Sequence, residues 1–119
     1  MTGSYFPEKG PDGVDWFFFV FCSKDGTNDG SANDDGELQG SSIASYTLTI
    51  PSGITNDTDN SDAVTIHGVS YGANTVVSVK LSSGTDGTDY TLKCAVTTDD
   101  SPARVIPLTK IVPVRTVYE

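Results

Sequence analysis

Tyr90-Thr91-Leu92-Lys93-Cys94-Ala95-Val96-Thr97 decides the fold class. Tyr90, Leu92, Cys94 and Val96 alternate with Thr91, Lys93, Ala95 and Thr97, the period of two that sets one face of a strand on a core and the other in solvent. Just upstream, Val77, Val79 and Leu81 alternate with Ser78, Lys80 and Ser82. Ser83-Gly84-Thr85-Asp86-Gly87 joins the two runs and offers two glycines for a turn. Downstream, Asp99-Asp100-Ser101-Pro102 turns the chain into a last strand over 104–118, with Ile106, Leu108, Val112 and Val114 as its apolar set. Pro107 and Pro113 each delete a backbone donor there, so that strand belongs at a sheet edge or bends between sheets.

Further upstream, Tyr46, Leu48 and Ile50 alternate with Ser45, Thr47 and Thr49 before a turn at Pro51-Ser52-Gly53. Thr55–Asp62 reads as a polar loop, and Val64 and Ile66 follow it as a short strand with Thr65 and His67 on the polar face. The first strand falls at about 14–22, where Trp16/Phe18/Val20/Cys22 and Phe17/Phe19/Phe21 are both apolar. A strand apolar on both sides needs a cover on both, which predicts a buried Trp16 and hints at a partner surface. Residues 1–13 read as a flexible N-terminal arm ahead of a domain at 14–119. Residues 23–42 contain one sizeable apolar side chain, Leu38, and read as a long acidic loop.

Composition agrees with an all-β chain. Thr, Val and Ile supply 33 of the 119 residues, against 23 for the strong helix formers Ala, Leu, Glu, Lys, Gln, Arg and Met together. No stretch holds a helical period. About six or seven strands with frequent turns fit an immunoglobulin-like two-sheet sandwich, with a small closed barrel as the rival. The net charge of -9 argues against nucleic acid and anionic membranes as partners. That charge lies wholly in residues 1–79, where Lys9 and Lys24 face eleven acids, while 80–119 balances five basic against five acidic side chains. No targeting or membrane-spanning segment is visible in the chain, and Cys22 and Cys94 permit one disulfide but, in a cytosolic product, read first as two buried thiols.

Motifs for chemistry are weak. The loop from Asp25 to Glu37 partly fits the twelve-residue calcium template, with Asp25, Asp29 and Asn33 as candidate ligands. Its closing position is Gly36, Glu37 comes one residue late, and no helix flanks it. Calcium is therefore the one cofactor candidate, and none is required. Gly68-Val69-Ser70-Tyr71-Gly72 spells a nucleophile elbow, but the sole histidine, His67, precedes Ser70 and no helix follows. An enzyme is disfavoured.

The most specific sequence feature is Ser42-Ile43-Ala44-Ser45-Tyr46-Thr47-Leu48-Thr49-Ile50-Pro51-Ser52-Gly53-Ile54-Thr55 with the later Val77-Ser78-Val79-Lys80-Leu81-Ser82-Ser83-Gly84-Thr85-Asp86-Gly87-Thr88-Asp89-Tyr90-Thr91. A strand ending in an apolar-Pro-Ser-Gly-Ile-Thr turn, then a strand with a Gly-Thr-Asp-Gly-Thr-Asp-Tyr-Thr sequel, resembles small immunoglobulin-like virion proteins of tailed phages, of the fibre–tail adaptor and capsid-decoration types. The resemblance covers residues 42–98; the acidic loop 24–37 and the proline-bearing last strand depart from it. It implies a non-enzymatic virion structural protein, made in the host bacterial cytoplasm and present in multiple copies. Such a protein binds other tail, fibre or capsid subunits, first as a tail-fibre-to-tail adaptor and second as a capsid decoration protein. A glycan-binding surface module is a third reading and needs exposed aromatics. On the structural readings, Tyr5 and Phe6 of the arm lie across a neighbour, and Arg104, Lys110 and Arg115 meet the acidic loop of an adjacent copy. A fraying terminus and solvated charges are the competing reading of those five residues.

Overall fold

The computed structural model describes residues 5–32 and 34–116. They form eight strands: β1 (Asp15–Val20), β2 (Ile43–Thr49), β3 (Ile54–Asn60), β4 (Val64–Ile66), β5 (Val69–Tyr71), β6 (Val76–Ser83), β7 (Thr88–Thr98) and β8 (Val105–Val114). One antiparallel sheet runs β1-β6-β3, a second β2-β7-β8, and β4-β5 is a separate hairpin. Phe17, Phe19, Val77, Val79 and Leu81 from the first sheet meet Leu92, Cys94, Val96, Val112 and Val114 from the second in one core. The chain is thus an all-β sandwich of two separate sheets rather than a closed barrel, and no helix occurs among the described residues.

The alternation around Cys94 works as the sequence implies. Tyr90, Leu92, Cys94 and Val96 are buried while Thr91 and Lys93 are exposed. β8 is the edge strand of its sheet, where Pro107 and Pro113 lack only donors that no ladder partner on β7 requires. Its inward row is Ile106, Leu108, Lys110, Val112 and Val114, since Lys110 stands opposite the buried Leu92. A lysine in the middle of an apolar row has room only because another side chain fills the space beneath it.

That side chain is Phe6. Residues 5–9 run parallel along β8: the Phe6 amide donates to the Ile111 carbonyl (2.8 Å), that of Lys9 to Pro113 (2.9 Å), and that of Arg115 back to Lys9 (2.9 Å). Phe6 packs tilted against Phe17 and edge-on against Phe19, with ring centroids 5.2 and 5.1 Å apart. Lys9 is fully buried, and its ammonium donates to the carbonyls of Gly10 and Ser83, tying the edge of one sheet to the end of β6 in the other. Desolvation lowers its pKa, and Asp15, Asp12 and Asp57 pull it back up. Over these residues the lead-in expected to be a flexible arm is instead an edge segment of the sandwich, held because Phe6 gains a core site.

The opposite side is closed by polar groups. Thr55–Asp62, expected as a loop, holds all of β3 but its first residue, and β3 is an edge strand with a register shift between Asn56 and Thr58. Apolar periodicity is missing there because Tyr46 of β2 reaches across and donates to Asp59, whose other oxygen accepts from Asn56 at 2.9 Å. Val69-Ser70-Tyr71 is likewise a strand, paired with β4 through a tight turn in which His67 and Gly68 have φ of 50° and 81°. His67 and Ser70 are both exposed, and Ser70 lies on a hairpin strand, not on a strand-to-helix elbow. Cys22 and Cys94 are free and buried.

The long loop after β1 is packed, not loose. Leu38 is fully buried in the main core, and its amide donates to Phe21 at 3.1 Å. Gly36 presses on the chain at Cys22, where an added Cβ would lie 2.3 Å from a backbone carbon. Asp34, buried, accepts from the amides of Asp29, Gly30 and Gly36 at 2.9–3.0 Å. Leu38→Ala is expected to lower the unfolding free energy by about 2–5 kcal/mol in urea titrations, as a core truncation does; a loss near zero would mean that the loop is not part of the cooperative fold. Burial and the Asp59 contact raise the Tyr46 phenol from 10.0 to about 12. A raised pKa means the folded state holds that proton more tightly, so Tyr46 contributes fully below 10.0 and the contribution fades as pH rises through about 12. In melts across that window, Tyr46→Phe is expected to start less stable and to show a shallower alkaline decline than the parent.

Candidate interaction site

β1 carries an outward apolar row; the other exposed large apolar side chains among the described residues are Tyr5, Val14 and Val105. The odd positions of β1, Phe17 and Phe19, enter the core; Trp16, Phe18 and Val20 point outward. The chain covers part of that outer row itself. Phe18 and Val20 pack with Val64, Ile66 and Val69 of the β4-β5 hairpin around buried Cys22, Tyr71 and Val76. Tyr71 locks the cover by donating to the carbonyl of Lys24 at 2.7 Å, and burial raises its phenol pKa. The cover stops short of Trp16, which is 41% exposed rather than buried as the two-faced pattern implied. The hairpin is only three residues per strand, and its apolar cluster takes in Phe18 and Val20 but not Trp16.

A groove of about 400 Å³ follows, between the edge segment at residues 5–7 and the outer face of β1. Tyr5, Pro7, Trp16, Val20, Ile66 and Lys110 are among the residues that line it. Tyr5 is 59% exposed, and Val14, also exposed, immediately precedes β1. Lys110 rises from its inward position on β8 and places its ammonium 5.4 Å from the Phe6 ring centroid, a cation–π contact. Desolvation lowers its pKa. Exposed aromatics beside a half-buried cation are the composition of an interface anchor, with little in the way of acid–base or nucleophilic chemistry.

The structure distributes the residues expected at interfaces. Tyr5, Phe6 and Lys110 all line the groove, Phe6 as a buried residue at its base. Arg115 pairs with Asp89 of its own chain at 2.8 Å. Arg104 does meet the acidic loop, but within the same molecule: it donates to the carbonyls of Glu37 (3.0 Å) and Leu38 (2.7 Å), to Ser41 Oγ (3.2 Å) and to Asp100 (2.6 Å). Contacts from Ser41 and Arg104 hold the Asp100 carboxyl below its usual range. Arg104 therefore holds the end of the long loop within its own chain, mainly through backbone carbonyls, because the turn before β8 lies against it. Asp25 and Asp29 accept from the amides of Thr27 and Ser31, which lowers their pKa values. Asn33, the third calcium candidate, lies outside the described residues. The groove itself was half legible: Trp16 and Tyr5 were visible as aromatics, but the pairing of residues 5–9 with β8 has no period in so short a segment.

Arg104→Ala is expected to cost about 1–3 kcal/mol of stability and to speed proteolytic nicking within residues 24–42 of the isolated chain. Unchanged cleavage kinetics would mean that Arg104 does not hold the loop.

Comparison with known proteins adds one finding. The sequence model of the family described as podophage GP4 fiber-tail adaptor protein gp77 matches residues 29–106, well over half of the chain. The span runs from the acidic loop through β7 to the start of β8, and leaves out β1 and residues 5–9. No curated protein and no solved structure matches. The chain belongs to this tailed-phage adaptor family.

Proposed function

We propose that this member of the fiber-tail adaptor family joins fibre to tail in the virion, as a non-enzymatic structural protein that docks neighbouring subunits through the groove beside β1. The observation that carries the reading is the exposed Trp16–Tyr5 surface with Lys110 at its margin, where two of the four exposed large apolar side chains among the described residues meet at one groove. Large aromatic side chains in such a position supply contact area at small entropic cost, and a few of them dominate binding energy. The protein is made in the host cytoplasm and enters the particle in several copies, where repeated weak contacts gain by avidity.

The protein partners are other virion proteins. The groove mixes aromatic rings with one ammonium, so it suits a segment that is apolar with a carboxylate or carbonyl at one end. Capsid decoration is the alternative assignment for a module of this size, and labelling separates the two.

Phage carrying Tyr5→Ser and Lys110→Glu in this chain are expected to assemble tails but to retain at least about tenfold fewer fibres per purified particle, by electron microscopy. Antibody–gold against the chain is expected at the tail. Wild-type fibre numbers in the double variant would remove the groove from the attachment, and gold over the heads would favour decoration.

A further inference from the structure

A second concavity lies on the far side of Trp16, on the outer face of the β1-β6-β3 sheet. The strand registers build its floor: Phe18 of β1 stands opposite Ser78 of β6, and Asn60 of β3 stands opposite Ser78 from the other side. Trp16 forms one wall, and the segment Asp62–Val64 leading into β4 forms the other. Its volume is about 260 Å³, a little below the ~300–1,000 Å³ of ordinary small-molecule sites, so it holds one ring rather than a large ligand.

Three polar groups here have unused capacity. Ser78 is 3% exposed, and its hydroxyl has no hydrogen-bond partner among the described residues. Asn60 already accepts the Asp62 amide on its oxygen at 3.0 Å, which leaves its NH₂ as a donor. The Asp62 side chain, on an exposed residue beside them, adds carboxylate acceptors. A buried hydroxyl left unpaired is costly, and its presence at a pocket floor is a reason to look for the group that completes it.

We infer that this pocket is a carbohydrate subsite that takes a single neutral hexopyranose, its apolar ring face on Trp16 and its hydroxyls on Asp62, Asn60 and Ser78. The chemistry excludes the other occupants in turn. A purely apolar side chain would bury the three polar groups without partners. An anion is opposed by Asp62. A cation meets the donor side of Asn60, with Lys80 standing opposite Trp16 in the register. A polyol offers donors and acceptors together with a C–H face, and matches all of them. This site does not depend on the groove beside residues 5–7, and Ser78, Asn60 and Asp62 do not line that groove.

Trp16 is the only tryptophan and lines both concavities, so intrinsic fluorescence reports binding at either, and the Ser78 and Asp62 variants assign the signal to this pocket. Titrating the full chain with methyl hexopyranosides, one sugar at a time, is expected to give a saturable change in emission with at least one of them, with millimolar affinity. Ser78→Ala and Asp62→Asn are each expected to weaken that binding about fivefold or more, while Ser78→Ala leaves the melting temperature equal or higher, because it removes an unpaired buried hydroxyl. Absence of saturation with every sugar would overturn the proposal. So would saturation by N-acetyl aromatic amino-acid amides in place of sugars, or sugar binding unaffected by both variants. Fibre retention by particles carrying Ser78→Ala is expected to be normal, which separates this site from the adaptor groove.

Discussion

A strand that is apolar on both faces sets the terms for the rest of this molecule. Phe17 and Phe19 drive β1 onto the second sheet, each contributing about 1.5–3 kcal/mol by burial, and this forces Trp16, Phe18 and Val20 outward. The outward row cannot be left wholly to water, so the chain spends the β4-β5 hairpin and the start of the long loop on covering it. A hairpin of this length covers two of the three side chains. The uncovered one, Trp16, becomes the ridge between the two concavities of the surface.

The two open sides of the sandwich are closed by different physics. On one side the closure is apolar with a buried cation: Phe6 fills the space under Lys110, and Lys9 ties the two sheets through carbonyls. On the other it is a chain of hydrogen bonds through Tyr46, Asp59 and Asn56. Polar closure needs directed partners, and an edge strand such as β3 can supply them without any apolar pattern. The net charge follows the same logic. Carboxylates in the acidic loop are turned onto backbone amides, with Asp34 accepting three, and Arg104 satisfies carbonyls of the same loop. One carboxylate of that loop, Asp34, is thus buried scaffolding beside Leu38, while Asp25, Asp29, Asp35 and Glu37 keep their charge at the surface.

Legibility varied with the kind of interaction. β6, β7 and the apolar half of β8 were readable because burial on one face imprints a period of two, and the prolines of β8 marked it as an edge. β3 was unreadable, since Ile54-Thr55-Asn56-Asp57-Thr58-Asp59-Asn60 has one apolar residue and its pairing is set by β6 and Tyr46. Residues 5–9 were unreadable for a related reason: one phenylalanine and one lysine in a short segment have no period to detect. For the candidate sites, the aromatic residues were visible, but their exposure was not. The Ser78 floor depends on a three-strand register, β1 to β6 to β3, that joins positions far apart in the chain.

By itself the sequence determined the class: all-β, apolar on one face of most strands, with a stretch resembling phage virion modules. These follow from composition and local alternation, which the chain carries wherever it goes. The choice of two sheets over a closed barrel came from the structure. Only the tertiary structure decided which apolar residues stay outside, which charges are spent internally, and which polar groups are left without partners. Those outcomes depend on how far a hairpin reaches and which edge a short segment finds, and both are fixed by non-local pairing that no single window of sequence contains.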